Sequence, residues 1–371
     1  MRLRPTRLEV SLENYRHNYR AVRDYVRPAK VIAVVKADAY GMGVMPVVWA
    51  LKREGADFFA VATPDEALEL REAGVTDSIL VLGASVYDAA DVCVRMNLRS
   101  TLTDLRMAEA LSKAASRWGR PAVVHLKVDS GLGRLGFLPL SVPTVAERLR
   151  ALPGIELEGI FTHFSNTEGR DLTQTRRQFE VFSEVVAAVK KAGFPVKMVH
   201  CCNSGALRDG FSGMFQDAVR SGQILSGIIP CPECAEAVPV KSCFQLKTAV
   251  GLVRELPPGS GVSYGQTYIT REAERVAVLP VGYADGFSRG FSNVGEVLIR
   301  GTRCPIRGVV CMDQCVVGVS HLQEVEVGDE AVLIGSQGGE TITVTEAAAK
   351  LTALPLTIPA MFTARLPRVY V

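Results

Sequence analysis

Eight short apolar segments alternate with amphipathic segments between residues 31 and 225. The apolar segments are rich in β-branched residues, which is typical of strands that are buried on both faces of a sheet. Strands are predicted at 31–36, 58–62, 79–82, 98–102, 122–128, 157–163, 197–202 and 218–225, and helices at 44–54, 64–73, 86–96, 104–117, 142–151, 172–192 and 204–209. This alternation predicts an α/β fold built on a (β/α)8 TIM-type barrel, although a doubly wound open sheet fits the same pattern.

The character of the chain changes after about Pro239. Short β-rich pieces follow one another with Gly and Pro between them, and 344–351 is the one plausible helix. Closely spaced turn signals of this kind predict a separate, mostly-β C-terminal domain. We therefore expect two domains, 1–238 and 239–371. Alternating charged and apolar residues over Met1–Glu9 predict one more strand at the N-terminus.

The bulk composition excludes several classes of protein. The formal charge of +3 is small and the basic residues are scattered, so no nucleic-acid partner is expected. No apolar run approaches the roughly 20 residues of a membrane span, and the N-terminus lacks a signal-peptide core. Nine cysteines without a regular framework predict reduced thiols in a cytoplasmic protein. Cys231 and Cys234 form a single CxxC without a matching second pair, so no metal site is expected.

The first strand of the alternating region ends on a lysine, Lys36, just before a glycine-bearing turn. Burial disfavours the charged form of an amine, so a lysine in this place has a lowered pKa. A neutral amine is nucleophilic, which is the requirement for a Schiff base with a carbonyl group. Residue type alone leaves a second interpretation open, in which Lys36 extends to solvent or pairs with Asp38.

The segment VVKADAYGMG, residues 34–43, resembles the pyridoxal 5′-phosphate (PLP) lysine motif of bacterial alanine racemases. The family usually has histidine where this chain has Met42. A second segment, HLKVDSGLGRLG at 125–136, resembles another motif of the family, and further matches follow in family order almost to the C-terminus. The resemblance implies a barrel followed by a β domain that the first N-terminal strand joins, and PLP as the cofactor.

The resemblance also implies roles around the cofactor. Arg134 would hydrogen-bond the phenolic oxygen of PLP and help to hold the substrate carboxylate, while Arg220, oriented by His200, would face the pyridine nitrogen. Lys127 matches a lysine that is carbamylated in many members. The implied cofactor-binding residues are Lys36, Tyr40, Arg134, His163, Asn203, Ser204, Arg220, Gly222 and Gln223.

Residue type alone leaves plainer interpretations open at some of these positions. His163 can be a structural residue at a strand end, Lys127 can face solvent, and Asn203 with Ser204 can begin a helix.

The segment GVSYGQTY, residues 261–268, matches the part of the family that carries a second acid/base. Tyr264 would then face Lys36 across the substrate Cα from the partner subunit. Tyr283 would lie near the entrance, and the Met312 backbone amide would meet the substrate carboxylate. These roles imply a homodimer with shared active sites, although spacing alone makes Tyr264 a hairpin residue.

The sequence departs from the family near its end, where Ala360 occupies the position of a tyrosine that walls the substrate pocket. Ser226 likewise replaces a tyrosine. We therefore expect a PLP-dependent racemase that uses Lys36 and Tyr264 on alanine or on a somewhat larger neutral amino acid such as serine. Two alternatives remain, a barrel-type PLP decarboxylase of amino acids and a non-catalytic PLP-binding or homeostasis protein.

Overall fold

The computed structural model describes residues 4–371. The chain divides into two compact units, of which one comprises Asn14–Ala39 and Val44–Lys241. The other comprises the described residues up to Glu13, with Tyr40–Gly43 and Ser242–Val371. The strand predicted over 1–9 is β1 (Arg7–Val10), and residues 1–3 of that prediction lie outside the described residues.

The first unit is built on a closed barrel of eight parallel strands. The strand β2 pairs with both β3 and β9, which closes the ring and excludes the open doubly wound sheet. Each of the eight predicted strands is present, but the one predicted over 218–225 ends at Ser221, because Gln223–Ser226 forms a 3-10 turn. The barrel strands are β2 (Lys30–Val34), β3 (Phe58–Val61), β4 (Ser78–Val81), β5 (Arg99–Leu102), β6 (Ala122–Lys127), β7 (Ile155–Phe161), β8 (Met198–His200) and β9 (Ala218–Ser221).

Helices follow the barrel strands as the alternation predicts, with one exception. The prediction of a helix over 204–209 is wrong, because the chain makes only a 3-10 turn at Ser204–Ala206. The helices of this part are α1 (Leu12–Val26), α2 (Lys36–Gly41), α3 (Val44–Arg53), α4 (Pro64–Glu72), α5 (Ala89–Arg95), α6 (Leu105–Trp118), α7 (Val142–Arg150), α8 (Thr173–Lys191) and α9 (Pro232–Ala237).

Side-chain caps explain where several of these helices begin. The hydroxyl of Thr63 accepts a hydrogen bond from the Glu66 amide, and the Glu66 carboxylate accepts one from the Thr63 amide. This reciprocal capping box, with Pro64 at the first helical position, fixes the start of α4. Asp104 caps α6 in a similar way through the Met107 amide.

The barrel strands bury polar as well as apolar side chains. Ile32, Phe59 and Leu80 are fully buried on their strands, as the apolar runs predict. His125 and His200, however, are also fully buried inside the barrel. A buried polar group is costly unless it is hydrogen-bonded, so these side chains point to a site built for a purpose other than packing.

The second unit is mostly β, as the closely spaced turn signals after Pro239 predict. Its largest sheet has the order β16-β15-β18-β10-β1-β20, with β19 on β18; smaller sheets are β11-β14-β17 and β12-β13. The elements are β10 (Phe244–Ala249), β11 (Leu252–Leu256), β12 (Gly261–Val262), β13 (Tyr268–Ile269), β14 (Glu274–Leu279), β15 (Glu296–Ile299), β16 (Thr302–Pro305), β17 (Cys315–Gly318), β18 (Glu330–Gln337), β19 (Glu340–Ile342), α10 (Val344–Lys350), α11 (Thr357–Ala360) and β20 (Arg368–Tyr370).

The N-terminal strand belongs to the largest sheet of the second unit. Strand β1 pairs antiparallel with β10 and parallel with β20, so the two ends of the chain share one sheet. Within residues 4–371, every helix is too short or too polar to cross a membrane.

Candidate active site

The turn that follows β2 is left-handed. Ala37, Asp38, Ala39 and Tyr40 all have φ between 52° and 59°. Such a conformation costs about 1–2 kcal/mol per non-glycine residue, so the surrounding structure must enforce it. The Ala37 amide donates to the Glu66 carboxylate at 2.7 Å. The strained residues therefore follow directly after Lys36, the lysine that the sequence analysis identifies.

Lys36 itself begins this turn at the end of the first barrel strand and is half-buried. Burial, and then the positive charge of Arg134, lower the pKa of its amine, while Glu66 acts in the opposite direction. The Asp38 carboxylate accepts the Val44 amide at 2.6 Å, and no ion pair joins it to Lys36 in the described part of the chain. The lowered pKa favours the neutral, nucleophilic form of the amine, and Lys36 does not pair with Asp38 as one interpretation of the sequence allowed.

The 129–136 loop carries Arg134 on a rigid turn. One oxygen of Asp129 accepts the amides of Gly131, Leu132 and Gly133 at 2.9–3.1 Å. The loop closes at Gly136, which has φ of +122°. Only glycine fits there, because a Cβ would lie 2.7 Å from the Asp129 nitrogen. These backbone hydrogen bonds therefore restrict the position of the loop that carries Arg134.

Arg220 is a buried cation with several partners. Its Nη2 lies 2.7 Å from the Thr162 carbonyl, 3.0 Å from the Cys201 carbonyl and 3.2 Å from His163 Nδ1. Its Nη1 lies 2.9 Å from His200 Nδ1. Burial lowers the pKa of Arg220 to about 10, so the guanidinium stays charged at neutral pH. Such a network fixes its plane and makes it a pre-organised donor.

Ser204 lies where amide donors converge. Its Oγ accepts the amides of Gly222 at 3.2 Å and of Ile224 at 3.4 Å. The neighbouring Asn203 accepts a hydrogen bond from the Thr167 hydroxyl at 2.9 Å. A hydroxyl and backbone N–H groups at one point form an anion site. Ile224 was not predicted, because an apolar side chain gives no sign of its amide.

His163 is influenced by four basic side chains. Burial and then the charges of Arg220, Lys127, Arg134 and Lys36 lower its pKa well below the usual value. The histidine is therefore neutral at physiological pH. Such a concentration of positive charge fits a ligand that carries negative charge, such as a phosphate or a carboxylate.

Lys127 is buried on β6, so the prediction that it could face solvent is wrong. Its Nζ lies 4.5 Å from the centre of the Phe161 ring. Burial, Arg220 and Arg134 lower the pKa of Lys127 well below the ordinary value, which favours its neutral amine.

The two cysteines of the CxxC segment lie behind the Ser204 turn as free thiols. The sulfur atoms of Cys231 and Cys234 are 3.2 Å apart. Cys234 Sγ is also 3.7 Å from the Ser204 carbonyl oxygen. Both thiols are buried, and Cys234 Sγ also lies 3.6 Å from the Gly205 carbonyl oxygen.

The second unit brings its three predicted residues together. The Tyr283 amide donates to the Cys311 carbonyl, which is next to Met312. The Ser263 hydroxyl, which precedes Tyr264, lies 3.1 Å from Cys311 Sγ. Tyr264, Tyr283 and Met312 are 73%, 42% and 51% exposed, so each leaves apolar surface uncovered in this chain.

Two domain families account for nearly the whole chain. The family described as alanine racemase, N-terminal domain, matches residues 10–230, and alanine racemase, C-terminal domain, matches residues 243–370. The chain belongs to the alanine racemase family.

Similar curated proteins carry the same family name. "Alanine racemase 2" of Caldanaerobacter subterraneus subsp. tengcongensis is 40% identical over 371 residues, which cover 100% of this chain and 95% of that protein. The alanine racemase of Symbiobacterium thermophilum is 42% identical over 368 residues, with 99% and 97% covered. The chain is therefore a PLP-dependent amino-acid racemase, as the resemblance implies.

Solved structures support the same assignment. The alanine racemase of Clostridium difficile 630 has a TM-score of 0.93 at 33% identity, with 100% of this chain and 97% of that chain covered. The alanine racemase of Bacillus anthracis with bound L-Ala-P has a TM-score of 0.92 at 33% identity, with 100% and 96% covered. The barrel and the β-rich C-terminal part are therefore those of this family.

The barrel residues fit the cofactor of the alanine racemase family. The Ser204 hydroxyl and the amides that converge on it supply the type of donor that a phosphate needs. The cations around His163 can offset the negative charge of PLP and of an amino-acid carboxylate. Lys36 has an amine of lowered pKa, which is the type of group that can form a Schiff base with an aldehyde.

The electrostatic coupling of Lys36 to Arg134 gives a first prediction. In the PLP-free protein we expect the Lys36 pKa below its ordinary 10.5, and Arg134→Met should raise it part of the way, because burial remains. Competitive acetylation followed over pH by mass spectrometry measures this pKa. Arg117→Met, which removes a surface cation paired with Asp91, is the matched control. An unchanged Lys36 pKa in Arg134→Met would contradict the coupling.

Proposed function

We propose that the protein interconverts the L and D forms of a small neutral amino acid, with Lys36 and Tyr264 as the two bases. The observation that carries the proposal is a lysine of lowered pKa among the cations that surround His163. Bound PLP supplies the sink for the electrons that remain at Cα when its proton leaves. Lys36 would hold the cofactor through its amine and would move the proton on one face of Cα.

Several other barrel residues would hold the cofactor in place. Ser204, with the backbone amides of Gly222 and Gln223 and the hydroxyl of Tyr40, binds the phosphate. Asn203 positions Ser204. The convergent amides and the hydroxyl at Ser204 support this assignment.

The three remaining barrel residues would control charge and orientation. Arg134 stabilises the phenolic oxygen and holds the substrate carboxylate, and His163 packs against the ring. Arg220 donates to the pyridine nitrogen and thereby keeps it unprotonated. An unprotonated nitrogen weakens the electron sink, which suits a racemase because the proton must return without side reactions.

The second base would come from a second copy of the chain. Tyr264, Tyr283 and Met312 are exposed in the β-rich unit, and the segments that carry them meet at Cys311, so exposed apolar side chains in this place favour a subunit interface. Tyr264 of the partner subunit would then act on the face of Cα opposite Lys36. Met312 would offer its amide to the substrate carboxylate, and Tyr283 would line the entrance.

The family match also weighs against the two alternatives. A barrel-type PLP decarboxylase and a non-catalytic PLP carrier would leave unexplained the match of residues 243–370 to the alanine racemase C-terminal domain. The racemase assignment accounts for both parts of the chain.

A test of the shared site uses two inactive variants. Lys36→Ala and Tyr264→Phe homodimers should each be inactive, because each lacks one base. Subunit exchange places both lesions in one site of the heterodimer and leaves the other site intact, so up to about half of the wild-type activity per heterodimer should return.

Racemisation assayed by chiral chromatography measures this recovery, and native mass spectrometry verifies the exchange. Two copies of Lys36→Ala carrying different affinity tags are the control, since they exchange without creating an intact site. Proven exchange without recovered activity would contradict a tyrosine acting in trans.

The departures at Ala360 and Ser226 concern the substrate. An alanine in place of a tyrosine removes a ring and a hydroxyl from the pocket wall, which leaves room beyond a methyl group. One methylene or hydroxyl is worth about 1–3 kcal/mol in a pocket, so the specificity should be broadened and not strictly switched. We therefore propose that serine or a larger neutral amino acid is racemised as well as alanine.

The substrate proposal predicts that serine or a larger neutral amino acid has a kcat/KM equal to or above that of alanine. Ala360→Tyr should lower the ratio of that value to the alanine value by about tenfold, because the ring refills the space. Ala349→Tyr, an exposed alanine on α10, is the matched control. A wild-type kcat/KM for alanine more than about tenfold above every larger amino acid would overturn the proposal.

A further inference from the structure

A continuous chain of hydrogen bonds runs through the barrel interior from Arg220 to Glu158. Beyond the 2.9 Å contact of Arg220 with His200 Nδ1, His200 Nε2 lies 2.8 Å from His125 Nδ1. His125 Nε2 lies 2.9 Å from Glu158 Oε2. Both imidazoles are fully buried, so water does not compete for these contacts.

The two ends of this chain give it a single direction. A guanidinium has only donors, so His200 Nδ1 must accept from Arg220 and carries no proton. The His200 proton therefore lies on Nε2 and is donated to His125 Nδ1. His125 in turn holds its proton on Nε2 and donates it to Glu158. Two neutral rings, both protonated at Nε2, are the only arrangement in which every contact pairs a donor with an acceptor.

Glu158 ends the chain as a carboxylate. Burial favours its neutral form, but the hydrogen bond from His125 and the charge of Arg99 outweigh burial and lower its pKa to about 2. Arg99 Nε lies 3.2 Å from the same oxygen that His125 contacts. Glu158 also lines a cavity of about 580 Å³ with Lys197 and Asp217, so the charge is partly hydrated.

The residues packed around His125 and His200 hold both rings in place. Phe161 stacks on His200 with ring centres 4.7 Å apart and planes 7° from parallel. Gly159 is the register partner of His125 on the next strand. A Cβ at Gly159 would lie 2.4 Å from His125 Nδ1, so the glycine makes room for the ring.

We propose that Glu158 is a positioning residue for racemisation, which acts through His125 and His200 to hold the Arg220 guanidinium in its orientation. This inference rests on the assignment of Arg220 to the pyridine nitrogen under the proposed function. A carboxylate at the far end polarises each imidazole and makes the His200 Nδ1 lone pair a stronger acceptor. The single tautomer of His200 thereby holds the Arg220 guanidinium in one orientation, as an aspartate orients the histidine of a hydrolase triad.

The test uses Glu158→Gln in the PLP-loaded enzyme. The amide keeps the shape but both donates and accepts, so the chain loses its fixed direction. Glu156→Gln is the matched control, since Glu156 lies on the same strand and pairs with Lys197 at the protein surface. The chain has five histidines, so nitrogen-15 NMR of the imidazoles can resolve each tautomer.

In the wild-type enzyme we expect neutral rings protonated at Nε2 for His125 and His200 from about pH 6 to 9. Glu158→Gln should change the His200 signals, shift the absorption of the bound cofactor and lower kcat about tenfold, with KM within about twofold. Glu156→Gln should change none of these. A charged ring, or a proton on Nδ1 of either histidine, in the wild type overturns the proposal even if Glu158→Gln does not fold.

Two further outcomes separate this proposal from the proposed function. Wild-type imidazole signals and kcat in a folded Glu158→Gln enzyme would overturn the positioning role and leave the racemase assignment intact. Changed imidazole signals with an unchanged cofactor spectrum would overturn the placement of Arg220 at the pyridine nitrogen, on which the inference rests.

Discussion

The burial of basic side chains at the carboxyl end of the barrel governs this site. Burial, and then the charges of Arg220, Lys127, Arg134 and Lys36, lower the pKa of His163. Two of the four groups, Lys36 and Lys127, respond with a lowered pKa of the amine. Arg220 stays charged because a guanidinium has a high ordinary pKa. An anionic cofactor would offset the positive charge that these side chains carry.

The scaffold around this charge is rigid on each side. The left-handed turn after Lys36 is held by the Glu66 carboxylate, which also caps helix α4. The Arg134 loop is held by Asp129, and Arg220 by its carbonyl and imidazole partners. A capping residue and a loop aspartate therefore have two tasks each, to build local structure and to orient a cation.

Sequence periodicity was sufficient to locate the eight strands, because strands buried on both faces show unbroken apolar runs, but it could not distinguish a closed barrel from an open sheet. It could not identify the left-handed turn, since Ala37, Ala39 and Tyr40 have no preference for positive φ. The sequence also could not show that the Ile224 amide donates to the Ser204 hydroxyl. His125 could have been found, because it precedes Lys127 by two residues on one strand, and such residues share a face. Its partner Glu158 is far away in the chain, so only the closed barrel brings the two together.

The most direct test of the account asks which buried amine carries the cofactor, because Lys36 and Lys127 both have lowered pKa values. Borohydride reduction of the PLP-loaded enzyme, followed by digestion and mass spectrometry, locates the attachment. The account predicts that the modified peptide contains Lys36 and that Lys36→Ala abolishes the labelling. Labelling on Lys127 or on any other lysine in the native enzyme would contradict it.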